Sequence, residues 1–281
     1  VERVGAAGGE SAMRVFVRDG DKVAAHDEPF HPFIFAAAPV LDGCPVACEQ
    51  AALDGDGPLN TLATFTDWKA CQKAASWLSK ETGYSQSQPG APYLCPSDPV
   101  QQYLMRSGKT HFLGMQADDV RRMQVDIECL TTPGYDFCNS ERPGDEIVAI
   151  AMSDWTGWVE VLSGTELDET AMLKRFVEIV QERDPDVIEG HNIFNFDLPY
   201  IAARAAYREV PLTLGRDGSE PDARPSRISV GERTLSYTRF EIFGLHVVDT
   251  LFLVHSYDVS LRSLSGFVLK VVAIHLSVAA E

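Results

Sequence analysis

Met123-Gln124-Val125-Asp126-Ile127-Glu128 alternates apolar and polar residues, the period of a half-buried β-strand. Side chains in a strand point to opposite faces in turn, so Asp126 and Glu128 share one face while Val125 and Ile127 share the apolar one. Two carboxylates placed this way repel each other. A divalent cation removes the penalty by giving both a common hard ligand. In two-metal hydrolysis, ions roughly 3.5–4 Å apart clamp the attacking and leaving oxygens of an in-line displacement, and Asp126 is placed to bridge such a pair. The same two acids also suit an ordinary solvated strand face.

A third carboxylate follows from the next strand signal. Asp186-Val187-Ile188-Glu189-Gly190 reads as a short buried strand that leads through Gly190-His191-Asn192-Ile193-Phe194-Asn195-Phe196-Asp197 into a helix with Pro199 in its first turn. An acid at Asp197 suits a helix cap. It also lies beside strand ends, where open α/β sheets place their ligands. Asn192, in a Gly-His-Asn turn, suits either a left-handed backbone or a bond to local amides.

Around these motifs the spacing predicts strands over 123–128, 146–153, 158–162, 186–190 and 241–248. Helices are predicted over 166–183 and 197–208, and two more follow the last strand. Met172, Leu173, Phe176, Val177 and Val180 mark one side of the first of these helices. Three closely linked strands followed by alternating helix and strand make an α/β fold, a mixed five-stranded sheet flanked by helices. The stretch from Pro211 to Arg227, rich in glycine and proline, reads as a mobile solvated loop.

A smaller α+β domain precedes this one, with the division between Met115 and Arg122; the expected domains are 1–120 and 121–281. Asp19-Gly20 between Met13–Val17 and Lys22–Ala25 predicts a hairpin. A helix capped by Asp67 carries Trp68, Cys71, Ala75 and Leu78 on one face, and another runs from Asp98-Pro99 to Gly108.

At 281 residues and 45% hydrophobic, the chain can fill one large or two modest cores. No apolar run approaches the roughly 18 residues of a membrane span, and Val1-Glu2-Arg3-Val4-Gly5 has no signal-peptide character, so a soluble cytoplasmic protein is expected. Cys44, Cys48, Cys71, Cys95, Cys129 and Cys138 lack zinc-finger spacing and read as buried or incidental thiols. The net charge of −17 opposes the basic balance of most nucleic-acid binders, and the chain alone should bind duplex DNA poorly.

Asp126-Ile127-Glu128, followed by Glu189-Gly190-His191-Asn192-Ile193-Phe194-Asn195-Phe196-Asp197, resembles the first two exonuclease motifs of family B DNA polymerases and their stand-alone exonuclease relatives. The Asn-x-x-x-Phe-Asp core is complete as Asn192, Phe196 and Asp197. Gly244 to Thr250 and Leu261-Arg262-Ser263-Leu264 resemble the strand and helix that follow, so the likeness spans about Met123 to Ala280.

This resemblance implies a ribonuclease H-like 3′–5′ exonuclease that proofreads a growing strand, acting on the 3′ end of single-stranded DNA with two Mg²⁺ or Mn²⁺ ions. It implies Asp126, Glu128 and Asp197 as catalytic metal ligands, Asn192 as a contact to the substrate strand, and Phe196 as an apolar support or base-stacking residue. It also implies an N-terminal domain of polymerase type and polymerase domains downstream. The family's third motif, Tyr-x-x-x-Asp or His-x-x-x-x-Asp, does not occur after Asp197, so the expectation is a chain that stops before its fourth carboxylate. Asp249, at the end of an apolar strand, is expected to cap the next helix and not to replace that acid. Cys129 stands where the family commonly has Thr. Two other readings stay open: a non-catalytic nuclease-fold scaffold within a polymerase, and an RNA-trimming 3′–5′ exoribonuclease, which a terminal 2′-hydroxyl would distinguish.

Overall fold

The computed structural model of the chain describes residues 1–5, 11–86, 88–109 and 114–278; Ala280, where the motif resemblance ends, lies outside them. It forms two compact units, Val1–Met115 and Gln116–Glu281.

In the first unit, β1 (Glu2–Gly5), β2 (Ser11–Asp19) and β3 (Lys22–Pro29) form an antiparallel sheet in that order. The predicted hairpin joins β2 to β3: Asp19 pairs with Lys22, and Gly20 takes φ 59°. A second sheet, from β4 (Phe33–Ala36), β5 (Glu49–Ala52), β6 (Thr61–Thr64) and β7 (Tyr93–Leu94), has the order β5-β6-β4-β7. Helix α1 (Trp68–Thr82) starts where the Asp67 carboxylate accepts the Ala70 amide and stops at Gly83, φ 73°. It buries Cys71, Ala74, Ala75 and Leu78 against Ile34, Ala63 and Phe65. Helix α2 (Pro99–Ser107) starts with the Asp98 side chain on the Val100 and Gln101 amides. All six cysteines are free, and the Cys71 and Cys95 thiols touch in the core, their sulfurs 3.9 Å apart.

The second unit is an α/β layer structure. Its strands are β8 (Arg122–Cys129), β9 (Ile147–Asp154), β10 (Val159–Ser163), β11 (Val187–Gly190), β12 (Asp222–Val230), β13 (Arg233–Glu241) and β14 (His246–Asp249). Five of them make one mixed sheet in the order β10-β9-β8-β11-β14. The first three run antiparallel, and β8, β11 and β14 are parallel. Parallel neighbours need crossovers, supplied by α3 (Glu169–Arg183) before β11 and by α4 (Asp197–Tyr207) with the β12–β13 hairpin before β14. Helices α5 (Thr250–Leu261) and α6 (Leu269–His275) follow. Met123, Val125 and Ile127 from β8 meet Met172, Leu173 and Phe176 from α3 in one core. Among the described residues no helix is long and apolar enough to cross a membrane.

Two expectations need correction. The stretch expected as a mobile loop, Pro211 to Arg227, is anchored by Arg216, which binds the Asp184 carboxylate at 2.7 Å and the Gly244 carbonyl at 2.7 Å, and it then enters β12. The strand expected over 241–248 is two separate pieces, the end of β13 and the short β14. The signal for the missing hairpin was Val230-Gly231-Glu232-Arg233: Val230 pairs with Arg233, and Gly231 takes the positive φ, 59°, that the first position of a type II′ turn requires. Pro225 and the charged residues of the two strands hide their β character, because the hairpin is largely solvated and carries no strong apolar alternation.

The unit is braced by a buried ion pair. Arg204 of α4 is fully buried, places Nε and Nη2 on the Glu169 carboxylate at 2.7 and 2.6 Å, and donates to the carbonyls of Ser140 and Arg142. Glu169 also accepts the Ile147 amide at 2.8 Å and Nε of Arg208 at 2.6 Å. Removing Arg204 leaves Glu169 with only Arg208 and the Ile147 amide, so Arg204→Ala is expected to lower stability by about 3 kcal/mol in urea unfolding followed by circular dichroism.

Candidate active site

Strand β8 follows the predicted alternation, with Met123, Val125 and Ile127 buried and Asp126 and Glu128 exposed on the opposite face. Its neighbour β11 pairs only as far as Glu189 opposite Gln124, so the amide of Ile127 has no strand partner on that side. The Asp197 carboxylate takes it: Ile127 N–H donates to Asp197 Oδ1 at 3.2 Å. Asp197 thereby sits against the backbone between the two acids of β8.

The side chain reaches there because the chain turns sharply after β11. A Cβ on Gly190 would lie 2.8 Å from the Val125 carbonyl oxygen and 3.0 Å from Ile193 Cβ, so only glycine allows this close approach to β8. Asn192 adopts the left-handed conformation at φ 69°, and its carbonyl accepts the amides of Asn195 and Phe196 at 3.0 and 2.9 Å. The turn delivers Asp197 as the first helical residue of α4; the cap position itself belongs to Phe196, so the helix-cap reading of Asp197 is corrected. Phe196 is half-buried, packs against the core and has its ring 5.6 Å from that of Tyr200, the placement of an apolar support. Asn192 keeps a partly exposed side chain.

The electrostatics are those of crowded anions. Asp197 is 2% exposed, and burial, followed by the charge of Asp126, pushes its carboxyl up to about 7, against the opposing Ile127 hydrogen bond. Asp126 is also raised, by partial loss of hydration and then by the charge of Glu128, with His191 acting in the other direction. Among the described residues no three His, Cys, Asp or Glu side chains are already gathered as a metal-ligand group. The donor chemistry nevertheless suits a hard divalent ion: the groups are carboxylates, and the repulsion of Asp126 with Glu128 and with Asp197 is what such an ion would relieve.

Sequence reasoning missed several partners. Beside Asp126 is a cavity of 410 Å³ lined in part by Gln124, Ser153, Glu189, His191 and Leu269. Gln124 links Glu189 to the Ser153 hydroxyl, and the His191 ring joins the Thr250 hydroxyl at 3.2 Å to the Phe267 carbonyl at 2.6 Å. Asp249 caps α5, as expected from its position, by accepting the Leu251 amide at 2.9 Å. It also accepts amides from the Asn192 turn, which depends on the β11–β14 register and is not visible in the linear chain.

Residues 156–265 match the model of the exonuclease domain of DNA polymerase family B. A DNA polymerase of Pyrococcus glycovorans is 35% identical over 131 residues, 43% of this chain and 16% of the relative. DNA polymerase 1 of Pyrococcus abyssi is 32% identical over 152 residues, 51% of this chain and 19% of the relative. Over this stretch the chain is similar to the family B DNA polymerases. It spans less than a fifth of the length of these two relatives. The fold agrees: the structure of the family B DNA polymerase from the hyperthermophilic archaeon Pyrobaculum calidifontis superposes with a TM-score of 0.63 at 20% identity, covering 97% of this chain and 38% of that one. The matched family B exonuclease segment contains Asn192, Phe196, Asp197 and Asp249 and begins after Asp126 and Glu128.

The raised Asp197 carboxyl has a consequence for stability. The group keeps its proton in the folded state up to about pH 7 but loses it near 3.8 when unfolded, so the unfolded state binds fewer protons in that window and stability falls as pH rises through it. At about 1.4 kcal/mol per unit, the displacement of three units caps the effect at roughly 4 kcal/mol. With divalent ions chelated, Asp197→Asn is therefore expected to raise the melting temperature at pH 8 and to change it little at pH 4; equal shifts at both values would contradict the assignment.

Proposed function

We propose that this chain is a metal-dependent 3′–5′ exonuclease module that hydrolyses the terminal phosphodiester of single-stranded DNA, working with polymerase domains as a proofreading unit. The observation that carries the reading is the seating of Asp197 on the Ile127 amide, which brings a third carboxylate to the strand that presents Asp126 and Glu128. Asp126, Glu128 and Asp197 would hold Mg²⁺ or Mn²⁺, which when bound would lower the pKa of water and offset the charge of the phosphate.

The residues divide the work by exposure. Asp126 and Glu128 face solvent, the side from which a strand end can enter, whereas Asp197 is buried and held by backbone. Asn192, which is partly exposed, is the proposed contact to the substrate strand. Phe196 supports the turn from below. With a net charge of −17, the module relies on local phosphate contacts, and its affinity for duplex DNA is expected to be low.

The test is a calorimetric titration of Mn²⁺ into the chain and into Asp126→Ala, paired with digestion of a 5′-labelled single-stranded oligonucleotide. Mn²⁺ binding in the parent that falls at least tenfold in the variant, with any shortening proceeding stepwise from the 3′ end, is the expected result. Equal binding by both proteins would remove the metal assignment and leave a nuclease-fold scaffold.

A further inference from the structure

Asp249 is 3% exposed and lies outside the trio of acids just described, yet its carboxylate accepts three backbone amides. Oδ1 accepts the amides of Asn192 and Leu251, both at 2.9 Å, and Oδ2 accepts the amide of Phe194 at 3.2 Å. One of these bonds caps α5. The other two cross to the turn between β11 and α4, which β14 meets by pairing Asp249 with Gly190. Thr250 adds a third tie, its hydroxyl donating to the Gly190 carbonyl at 3.2 Å.

The turn needs such an anchor. Asn192 is left-handed, which a non-glycine residue adopts only against a steric cost, and the segment from 191 to 196 is neither helix nor strand. Its amides point inward, where an unpaired donor would be expensive. Asp249 holds the amides of 192 and 194, the carbonyl of 192 holds the amides of 195 and 196, and the next residue is Asp197 on the Ile127 amide. A continuous series of hydrogen bonds thus runs from the end of β14 to the carboxylate beside β8.

We infer that Asp249 is a positioning residue: its carboxylate clasps the Asn192–Phe194 turn and so sets where Asp197 and Asn192 stand relative to Asp126 and Glu128. This inference rests on the exonuclease reading for what the placement serves. The same bonds argue against Asp249 as a metal ligand, because three of its roughly four acceptor positions are taken by backbone amides.

Two variants separate the clasp from the helix cap. Asp249→Ser keeps a hydroxyl for the Leu251 amide but is too short to hold both turn amides. Asp249→Asn keeps one oxygen and turns an NH₂ group toward the Phe194 amide. In the full chain, both variants are expected to melt cooperatively and to exchange the amide hydrogens of 192–197 faster than the parent. Mn²⁺ affinity by calorimetry should fall about 10–100-fold, as for a lost outer-shell partner, with serine worse than asparagine. Unchanged exchange, or Mn²⁺ affinity within about twofold of the parent despite faster exchange, would overturn the inference. Loss of Mn²⁺ binding in Asp249→Asn well beyond about 100-fold, with no measurable binding left, would also overturn it, by making Asp249 a ligand. If Asp126→Ala binds Mn²⁺ like the parent, the exonuclease reading fails first, and the exchange data still report whether the clasp exists.

Discussion

Burying a carboxylate beside two others is the constraint around which the second unit is organised. An acid at 2% exposure loses most of its hydration, and neighbouring negative charge adds to the cost. Asp197 receives its own amide and that of Ile127 in return, and the Ile127 amide is open to it only because β11 ends at Gly190 while β8 continues to Cys129. The site thus depends on where one strand stops. Extending β11 by two residues would occupy the Ile127 amide and leave Asp197 without a donor at that position.

The other buried acids of this unit make the contrast clear. Asp145 accepts the amides of Thr132 and Asn139 at 2.8 and 2.7 Å, Asp154 has the Thr156 amide and Arg183, Glu169 has Arg204 and Arg208, and Asp249 has three amides. Each is compensated by donors of its own. Asp197 instead is stripped of water and faces Asp126, and its proton affinity rises accordingly. Acids that are satisfied hold a fold together; an acid left in tension with its neighbours marks a place where chemistry is prepared. Gly190 and Asn192 carry the backbone side of the same arrangement, one through close approach and the other through its left-handed turn.

Much of this was legible in the linear chain because it is local. The alternation around Asp126 places that strand, the Asp67 and Asp98 caps place two helices, and the apolar stripe from Met172 to Val180 places a third. Asn-x-x-x-Phe-Asp marks a turn into a helix whether or not its partners are known. What could not be read depends on register between distant segments. The meeting of Asp249 with Asn192, of Glu189 with Gln124 and of Arg204 with Glu169 follows from which strands and helices lie side by side. The β12–β13 hairpin escaped for a different reason: most of its side chains face water, so the apolar period that reveals buried strands is absent from it.

The strand order β10-β9-β8-β11-β14 also divides the sheet by distance along the chain. The three antiparallel strands are sequential neighbours, whereas β11 reaches β8 only after α3 has been laid down, and β14 reaches β11 only after α4 and a hairpin. Short loops close at less entropic expense than long ones, and contacts of high sequence separation slow folding. The meander bearing Asp126 and Glu128 is therefore closed by the shorter connections, and the parallel half bearing Asp197 and Asp249 by the longer ones. The crowding of Asp197 with Asp126 is thus a contact made across the sheet's most distant connections, and it is these that a destabilised chain has most to gain by releasing.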